Sequence, residues 1–236
     1  MTNTGRSRLT TALHSFRGSG LLQMILRRRW VRNLILRAAN VIYYHDALWQ
    51  TTYWLGNQIL KYPGDVWSYQ EIIYETRPDL IIETGTWNGG SALFMATLLD
   101  YLNFGRIITI DIDASRERPL HPRIQYVTAS SIAPEVLESV RHSAEGAERV
   151  MVILDSDHTA NHVYQEMIGY GRLVTPGCYM IVEDSTINGH PVAPKFGPGP
   201  MEAIQRFLPD HPEFVVDKHR ERLALTQNPS GYLKRA

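Results

Sequence analysis

Five short runs of β-branched and other apolar residues follow one another through the middle of the chain, and helical segments separate most of them. Strands spaced in this way are typical of a parallel sheet that is covered by helices on both faces. The strands are predicted at Leu80–Glu83, Arg106–Asp111, Ile124–Val127, Val150–Asp155 and Cys178–Asp184. The helices between them are predicted near Ser91–Leu102, Pro134–His142 and Asn161–Val174. The pattern predicts an α/β fold, and 236 residues suit one such domain with an appendage.

The segments on either side of this alternation are less regular. An aromatic-rich stretch over Trp49–Tyr74 is predicted to be helical, with a break at Pro63-Gly64. Near the C-terminus, a Gly- and Pro-rich loop at Asn188–Pro200 precedes a predicted helix. That helix is predicted at Met201–Leu208, and two further strands at Glu213–Val216 and Arg222–Thr226.

The first 45 residues contain eight arginines and no Asp or Glu, so the remaining residues carry 16 basic and 24 acidic side chains and a net charge of −8. Apolar residues at four-residue spacing predict an amphipathic helix over residues 21–44; they are Leu22, Leu26, Trp30 and Leu34. We therefore expect a basic arm at residues 1–45 and a main domain at 46–236. The arm suits either an anionic surface such as lipid headgroups or packing on its own domain or on a second subunit.

Glycines cluster directly after the first predicted strand, in the run Glu83-Thr84-Gly85-Thr86-Trp87-Asn88-Gly89-Gly90-Ser91. Ligands of such sheets bind beyond the carboxyl ends of the strands, where glycines let the backbone approach a ligand and a helix N-terminus offers free amides. The spacing does not fit the G-x-G-x-x-G loop of dinucleotide-binding proteins. It resembles the E-x-G-x-x-x-G-G loop of S-adenosylmethionine-dependent methyltransferases, which implies a Rossmann-like sheet with this cofactor. The resemblance implies cofactor contacts from Glu83, Thr84, Gly85, Thr86, Asn88, Gly90, Ser91, Asp111, Ser130, Ser131 and Asp155.

Three acidic residues follow two strands that we expect to be neighbours. Asp155 ends the fourth predicted strand, and Glu183 and Asp184 end the fifth. Carboxylates that meet at one sheet edge repel each other unless a cation compensates them, and oxygen ligands favour a hard ion. The sequence therefore predicts a Mg²⁺ site formed by Asp155, Glu183 and Asp184.

His158 and Asp157 lie beside this predicted metal site and are the two candidates for the catalytic base. A free imidazole titrates near neutrality, so histidine is a residue type suited to proton transfer at this position. Asp157 is also a plausible N-cap for the next helix. His162 shares the helical spacing of a zinc-binding pair with His158, but the three nearby carboxylates make zinc the less favoured ion.

From about Tyr53 onwards the chain resembles the family that groups cephalosporin hydroxylase-like proteins with rhamnosyl O-methyltransferases. The resemblance rests on Pro78–Gly85, Leu154–His158, Glu183-Asp184 and Phe196–Pro200. It implies Asp155, Glu183 and Asp184 as metal ligands and His158 as the base. It also implies that the Asn188–Pro200 loop is a lid, with Lys195 as a substrate contact.

The leading hypothesis is an O-methyltransferase that uses S-adenosylmethionine and Mg²⁺ to methylate a sugar hydroxyl, on a glycoside or a glycolipid. A hydroxylase, a catechol-type O-methyltransferase and a non-catalytic cofactor-binding protein remain alternatives. We expect no nucleic-acid partner, a homo-oligomer and a cytoplasmic location, with peripheral membrane contact if the arm binds lipid. Cys178 is the only cysteine, which fits a reducing compartment.

Overall fold

The computed structural model describes residues 24–236 and contains a seven-stranded sheet flanked by helices. The helices are α1 (Arg29–His45), α2 (Pro63–Thr76), α3 (Gly90–Leu102), α4 (Pro134–Ser143), α5 (Ala160–Gly171) and α6 (Pro200–Phe207). The strands are β1 (Tyr53–Trp54), β2 (Asn57–Gln58), β3 (Leu80–Thr84), β4 (Arg106–Asp111), β5 (Ile124–Thr128), β6 (Val150–Leu154), β7 (Tyr179–Val182), β8 (Phe214–Val216) and β9 (Tyr232–Arg235). Short 3₁₀ helices lie at Leu48–Thr51, Leu208–Asp210 and Lys218–Glu221.

The seven strands follow the order β5-β4-β3-β6-β7-β9-β8. The first five pair in parallel, and β9 pairs antiparallel with both β7 and β8. The chain reverses its direction of winding between β3 and β6, and in such sheets this is where the ligand crevice opens. The predicted α/β fold with a Rossmann-like sheet is confirmed.

Each face of the sheet carries its own hydrophobic core. In β3, Leu80 and Ile82 point into one core and Ile81 into the other. The first core packs against α4, α5 and α6, and the second against α2 and α3. Every residue of β3 and β6 is buried, which explains why their sequences are nearly continuous apolar runs.

The predicted strand at Arg222–Thr226 is wrong. This segment forms turns, because its polar end is held by Asp65 of α2: the Thr226 hydroxyl donates to Oδ1 over 2.6 Å and the Gln227 amide to Oδ2 over 2.8 Å. The last strand is β9, and its first two residues are fully buried on opposite faces of the sheet.

The helical prediction over Trp49–Tyr74 holds only for its second half. The first half forms a 3₁₀ helix and the β1–β2 hairpin, which joins Tyr53 to Gln58. Pro63 starts α2 instead of breaking a helix, because proline lacks the N–H that a first helical residue would leave unpaired.

The described part of the arm is mostly helical, as predicted, and Leu22 lies outside the described residues. In and just before α1 the apolar side chains are largely exposed, with Trp30 at 69% and Leu34 at 61%. The C-terminal half of α1 is attached to the domain through Asn40, which donates to the Thr226 carbonyl (3.4 Å) and accepts from the Gln227 side chain (3.1 Å). No helix within residues 24–236 has the length and apolarity that a membrane crossing requires.

Candidate active site

A cavity of about 780 Å³ opens at the carboxyl ends of the parallel strands. Its size is in the range of small-molecule sites. Its walls include five of the residues predicted to bind the cofactor, and these are Gly85, Asp111, Ser130, Ser131 and Asp155. The predicted base candidates Asp157 and His158 and the predicted metal ligands Glu183 and Asp184 line the same cavity. The structure thus brings the two groups of predicted residues to one place.

Gly85 lets the backbone cross the end of the sheet between β4 and β6. Its φ is +84°, and a Cβ at this position would lie 1.9 Å from the Asp155 carbonyl oxygen. The Gly85 amide donates to the Ile110 carbonyl (2.8 Å), and the Asp155 amide donates to the Thr84 carbonyl (3.0 Å). No side chain fits here, so glycine is required for the loop to follow this path.

Several predicted cofactor residues support this loop from beneath and do not line the cavity. Both oxygens of buried Glu83 accept hydroxyl hydrogen bonds, from Ser91 and from Thr109, and the Thr86 hydroxyl also bonds to Thr109. The side chains of Glu83, Thr86 and Ser91 are buried at the end of the central strand β3 and the start of α3. Thr84, Asn88 and Gly90 are also absent from the cavity wall. Contact of these six residues with the cofactor stays a prediction.

Gly90 also has a structural role that the sequence did not show. A Cβ there would lie 2.1 Å from the Gln58 carbonyl oxygen, so this glycine allows the β1–β2 hairpin to pack against the start of α3. Gln58 itself lines the cavity. The hairpin is therefore part of the site.

Asp111 is fixed at the end of β4 with its carboxylate on the cavity wall. Its oxygens accept from the Trp87 amide (2.6 Å) and the Asp113 amide (2.8 Å), and an Arg118 nitrogen lies 3.8 Å away. The next residue, Ile112, presents an apolar side chain that is 76% exposed on the same wall. An acid beside an exposed apolar surface suits a ribose hydroxyl beside a purine ring.

Ser131 belongs to a polar network that the sequence did not reveal. Its hydroxyl donates to fully buried Glu166 (2.6 Å) and lies 3.1 Å from Nε2 of His162. The Ser156 hydroxyl donates to the same Glu166 oxygen (2.6 Å). His162 is thus engaged by Ser131 and Glu166 instead of pairing with His158, and its hydrogen bond to Glu166 raises its pKa. The network fixes the part of the wall that contains Ser131, one of the predicted cofactor contacts.

The acidic residues occupy two neighbouring strand ends. Asp155 follows β6, Glu183 follows β7, and the Glu183 amide donates to the Leu154 carbonyl over 3.0 Å. Side-chain atoms of Asp155, His158 and Asp184 lie within 4.8 Å of one another. Nε2 of His158 is 3.3 Å from Oδ2 of Asp184. The carboxylates of Asp155 and Asp184 at this spacing fit a divalent cation, whereas the predicted ligand Glu183 lies outside this group of three and contacts Lys61.

Lys61 also contributes to this cluster and was missed in the sequence. Its Nζ lies 2.9 Å from Oδ2 of Asp155 and 2.6 Å from Oε1 of Glu183, and its side chain is only 3% exposed. Burial alone would lower the pKa of Lys61, but the two carboxylates outweigh that effect and raise it above its usual range. The two carboxylates therefore favour the charged form of this side chain. No motif marks this lysine, because it lies between the hairpin and α2.

Aromatic side chains form the wall opposite the strand ends. Tyr44 comes from the last turn of α1, Trp49 from the following 3₁₀ helix and Tyr62 from the residue before α2. The Tyr62 ring also packs edge-on against Tyr43, with ring centroids 5.1 Å apart. Only the packing of the N-terminal segments brings these rings to the site, so the sequence pattern did not predict them.

The Gly- and Pro-rich loop borders the cavity through Phe196. Glu202 of α6 anchors it by accepting from His190 Nε2 (2.8 Å), the Gly199 amide (2.7 Å) and Asn188 (3.1 Å). Lys195 is exposed to solvent and does not line the cavity, so its contact with a substrate stays a prediction.

Comparisons with known proteins agree on one group. The family model described as "Rhamnosyl O-methyltransferase/CmcI" matches residues 46–236. The chain is 39% identical over 199 residues to a rhamnosyl O-methyltransferase of Mycobacterium leprae (strain TN), covering 82% of this chain and 87% of that protein. It is also 39% identical over 202 residues to a rhamnosyl O-methyltransferase of Mycobacterium tuberculosis (strain ATCC 25618 / H37Rv), covering 82% of each.

Among solved structures, the chain is similar to one described as "cmcI-D160 Mg-SAM". The TM-score is 0.62 at 25% sequence identity, and the match covers 79% of this chain and 77% of that one.

Proposed function

The chain belongs to the rhamnosyl O-methyltransferase/CmcI family, and from this premise we propose how its site works. It is an O-methyltransferase that uses S-adenosylmethionine and Mg²⁺ to methylate a sugar hydroxyl. The observation that carries the proposal is the shared cavity, in which the glycine loop and Asp111 lie beside the carboxylates of Asp155 and Asp184.

The residues of the site fall into one group that would bind the cofactor and one that would bind the metal. Gly85, Asp111, Ser130 and Ser131 would hold the methyl donor. The ligands of the metal would be Asp155, Glu183 and Asp184. When bound, the ion would lower the pKa of an acceptor hydroxyl and the cofactor would supply the methyl group.

We propose that Nε2 of His158 takes the proton of the acceptor hydroxyl. Asp184, 3.3 Å from this atom, stabilises the imidazolium that forms. Asp157 is the weaker candidate, because its carboxylate already accepts from the Thr159 amide over 2.7 Å and caps the region before α5. The loop over residues 188–200 would exclude water once substrate is bound.

The aromatic wall supports a sugar acceptor. The rings of Tyr44, Trp49 and Tyr62 present apolar surfaces, and the amides of Gln50 and Gln58 lie among them on the cavity wall. Rings with a few polar groups suit the alternating C–H and hydroxyl faces of a sugar. The hydroxylase alternative is less well supported, since non-haem iron oxygenases typically use two histidines and one carboxylate, whereas this cluster has one histidine.

We also propose that the arm brings the enzyme to anionic lipid and that the acceptor sugar is carried by a glycolipid. The arm has eight arginines and no acid, and α1 exposes Trp30, Leu34 and Ile35. Because α1 also ends at the aromatic wall, Trp30 lies about 21 Å and Leu34 about 15 Å along the helix from Tyr44. A homo-oligomer stays a prediction.

The proposal is tested by incubating the enzyme with S-adenosylmethionine carrying a labelled methyl group, with p-nitrophenyl α-L-rhamnoside and, separately, with 3,4-dihydroxybenzoate. We expect mass spectrometry to find one labelled methyl group on the sugar, only when Mg²⁺ is present. His158→Gln should lower kcat by about 100-fold or more, while Asp157→Asn should retain most activity. Methylation of the catechol acid alone would contradict the sugar assignment.

A further inference from the structure

We propose that Lys61 is a built-in counterion that holds the metal site assembled and lowers its affinity for the divalent ion. The inference rests on the proposed metal site, but it concerns a residue that the methyl transfer scheme above does not use. Its basis is the position of the Lys61 ammonium between Asp155 and Glu183, at 2.9 Å and 2.6 Å.

The ammonium cannot move out to solvent. The Lys61 side chain is 3% exposed, and its Nζ lies 5.9 Å from the centre of the Tyr69 ring. The Lys61 carbonyl accepts a hydrogen bond from the Thr52 hydroxyl (3.1 Å), which ties this residue to the chain before β1. The backbone around it is also fixed, because α2 begins two residues later at Pro63. Lys61 is thus a permanent feature of the site.

The ammonium contacts one oxygen of each carboxylate. Oδ2 of Asp155 contacts Lys61, so Oδ1 of Asp155 remains for a second cation, whereas Glu183 bonds to Lys61 and also to the Tyr69 hydroxyl. Lys61 and a divalent ion can therefore share the carboxylate of Asp155. By holding these side chains, Lys61 acts as a positioning residue.

The charges of the three carboxylates at the two strand ends balance when both cations are present. Asp155, Glu183 and Asp184 carry three negative charges when ionised, a divalent ion supplies two positive charges, and Lys61 supplies the third. A buried charge without a partner is destabilising, so Lys61 stabilises the site before the metal binds. For the same reason Lys61 repels an incoming divalent ion, and its removal should tighten metal binding.

The test replaces Lys61 by methionine, which keeps much of the side-chain shape and removes the charge. Mn²⁺ binding to the full-length enzyme is measured by electron paramagnetic resonance, with Mn²⁺ as the probe, and circular dichroism verifies the fold. We expect the Kd for Mn²⁺ to fall by at least about tenfold in Lys61→Met. Lys61→Gln gives the same expectation if the methionine variant does not fold. The exposed Lys234→Met is the matched control and should leave the Kd unchanged.

Lys61→Arg keeps the charge and should bind Mn²⁺ with nearly the wild-type Kd. An unchanged or weaker Kd in the neutral variants would overturn the proposal, and so would tighter binding in Lys61→Arg. The measurement needs no acceptor, so failure to methylate a sugar leaves it intact. If the wild-type enzyme binds no Mn²⁺, both the metal assignment and the role of Lys61 are refuted.

Discussion

At the scale of single residues, the site depends on backbone contacts that only glycine permits. Gly85 and Gly146 offer a direct comparison, because their φ angles are +84° and +82°. A Cβ on Gly85 would lie 1.9 Å from the Asp155 carbonyl oxygen, whereas a Cβ on Gly146 would have no neighbour within 4 Å. Both positions require a positive φ, and they differ in the space around the glycine.

We expect Gly146→Ala to lower the free energy of unfolding by about 1 kcal/mol, the cost of a left-handed alanine. Gly85→Ala should lower it by at least about 3 kcal/mol and abolish cofactor binding, because the alanine must also push β6 away from the loop. Urea denaturation of both variants checks the difference. Equal losses would mean that the close approach to Asp155 is not important for stability.

The site residues that the sequence predicted are those that follow strands. Asp111, Asp155 and Asp184 could be placed because the strand pattern fixes where each strand ends and parallel strands end at the same edge. Lys61 and Tyr44 could not be placed in this way, since they come from segments in which no motif or strand pattern indicates a position near the site. Their positions depend on tertiary packing, which one sequence does not encode in a motif.

At the scale of elements, the buried strands were predictable and the peripheral ones were not. β3 and β6 are buried on both faces, so their apolar runs are unambiguous. The last strand was misplaced, because Arg222–Thr226 has the composition of a strand while its polar neighbours bond to Asp65. Hydrogen bonds between residues far apart in the chain therefore determine the conformation of that segment.

The loop between β7 and α6 illustrates how an element can be partly predicted. Its Gly and Pro content predicted an irregular segment beside the site, and Phe196 does line the cavity. Its anchor, Glu202, caps α6 and holds the Asn188 and His190 side chains. The position of Glu202 as an anchor depends on the folded geometry of the loop, and so does the outward direction of Lys195. Neither feature could be predicted from the sequence.

At the scale of the whole molecule, α1 carries both the exposed face that we propose binds lipid and Tyr44 of the aromatic wall. α1 is exposed over its N-terminal half and joined to the domain by Asn40 near its C-terminal end. Anionic lipid complements both the arginines and the exposed apolar residues of this helix. A sugar on a lipid anchor would then approach the cavity from the side of Tyr44.

We expect the double variants Trp30→Gln/Leu34→Gln and Arg29→Gln/Arg32→Gln to sediment less with phosphatidylglycerol-containing vesicles than the wild type does. Leu120→Gln is the matched control, because Leu120 is an exposed apolar residue outside the arm, at 95% exposure, and its loss should change nothing. Added salt should weaken wild-type binding, since the arginine contribution is electrostatic. Unchanged sedimentation would contradict lipid binding. A larger elution volume of Trp30→Gln/Leu34→Gln in size-exclusion chromatography would mean that this face of α1 contacts a second copy of the chain.

The central claim is that acids at the ends of β6 and β7 share one divalent ion beside the methyl donor. Crystals grown with Mn²⁺ and S-adenosylhomocysteine test it most directly, through the anomalous scattering of manganese. We expect one Mn²⁺ peak at about 2.1 Å from carboxylate oxygens of Asp155, Glu183 and Asp184, within the same cavity as the cofactor. A peak elsewhere, or none at this cluster while the cofactor is bound, would contradict the account.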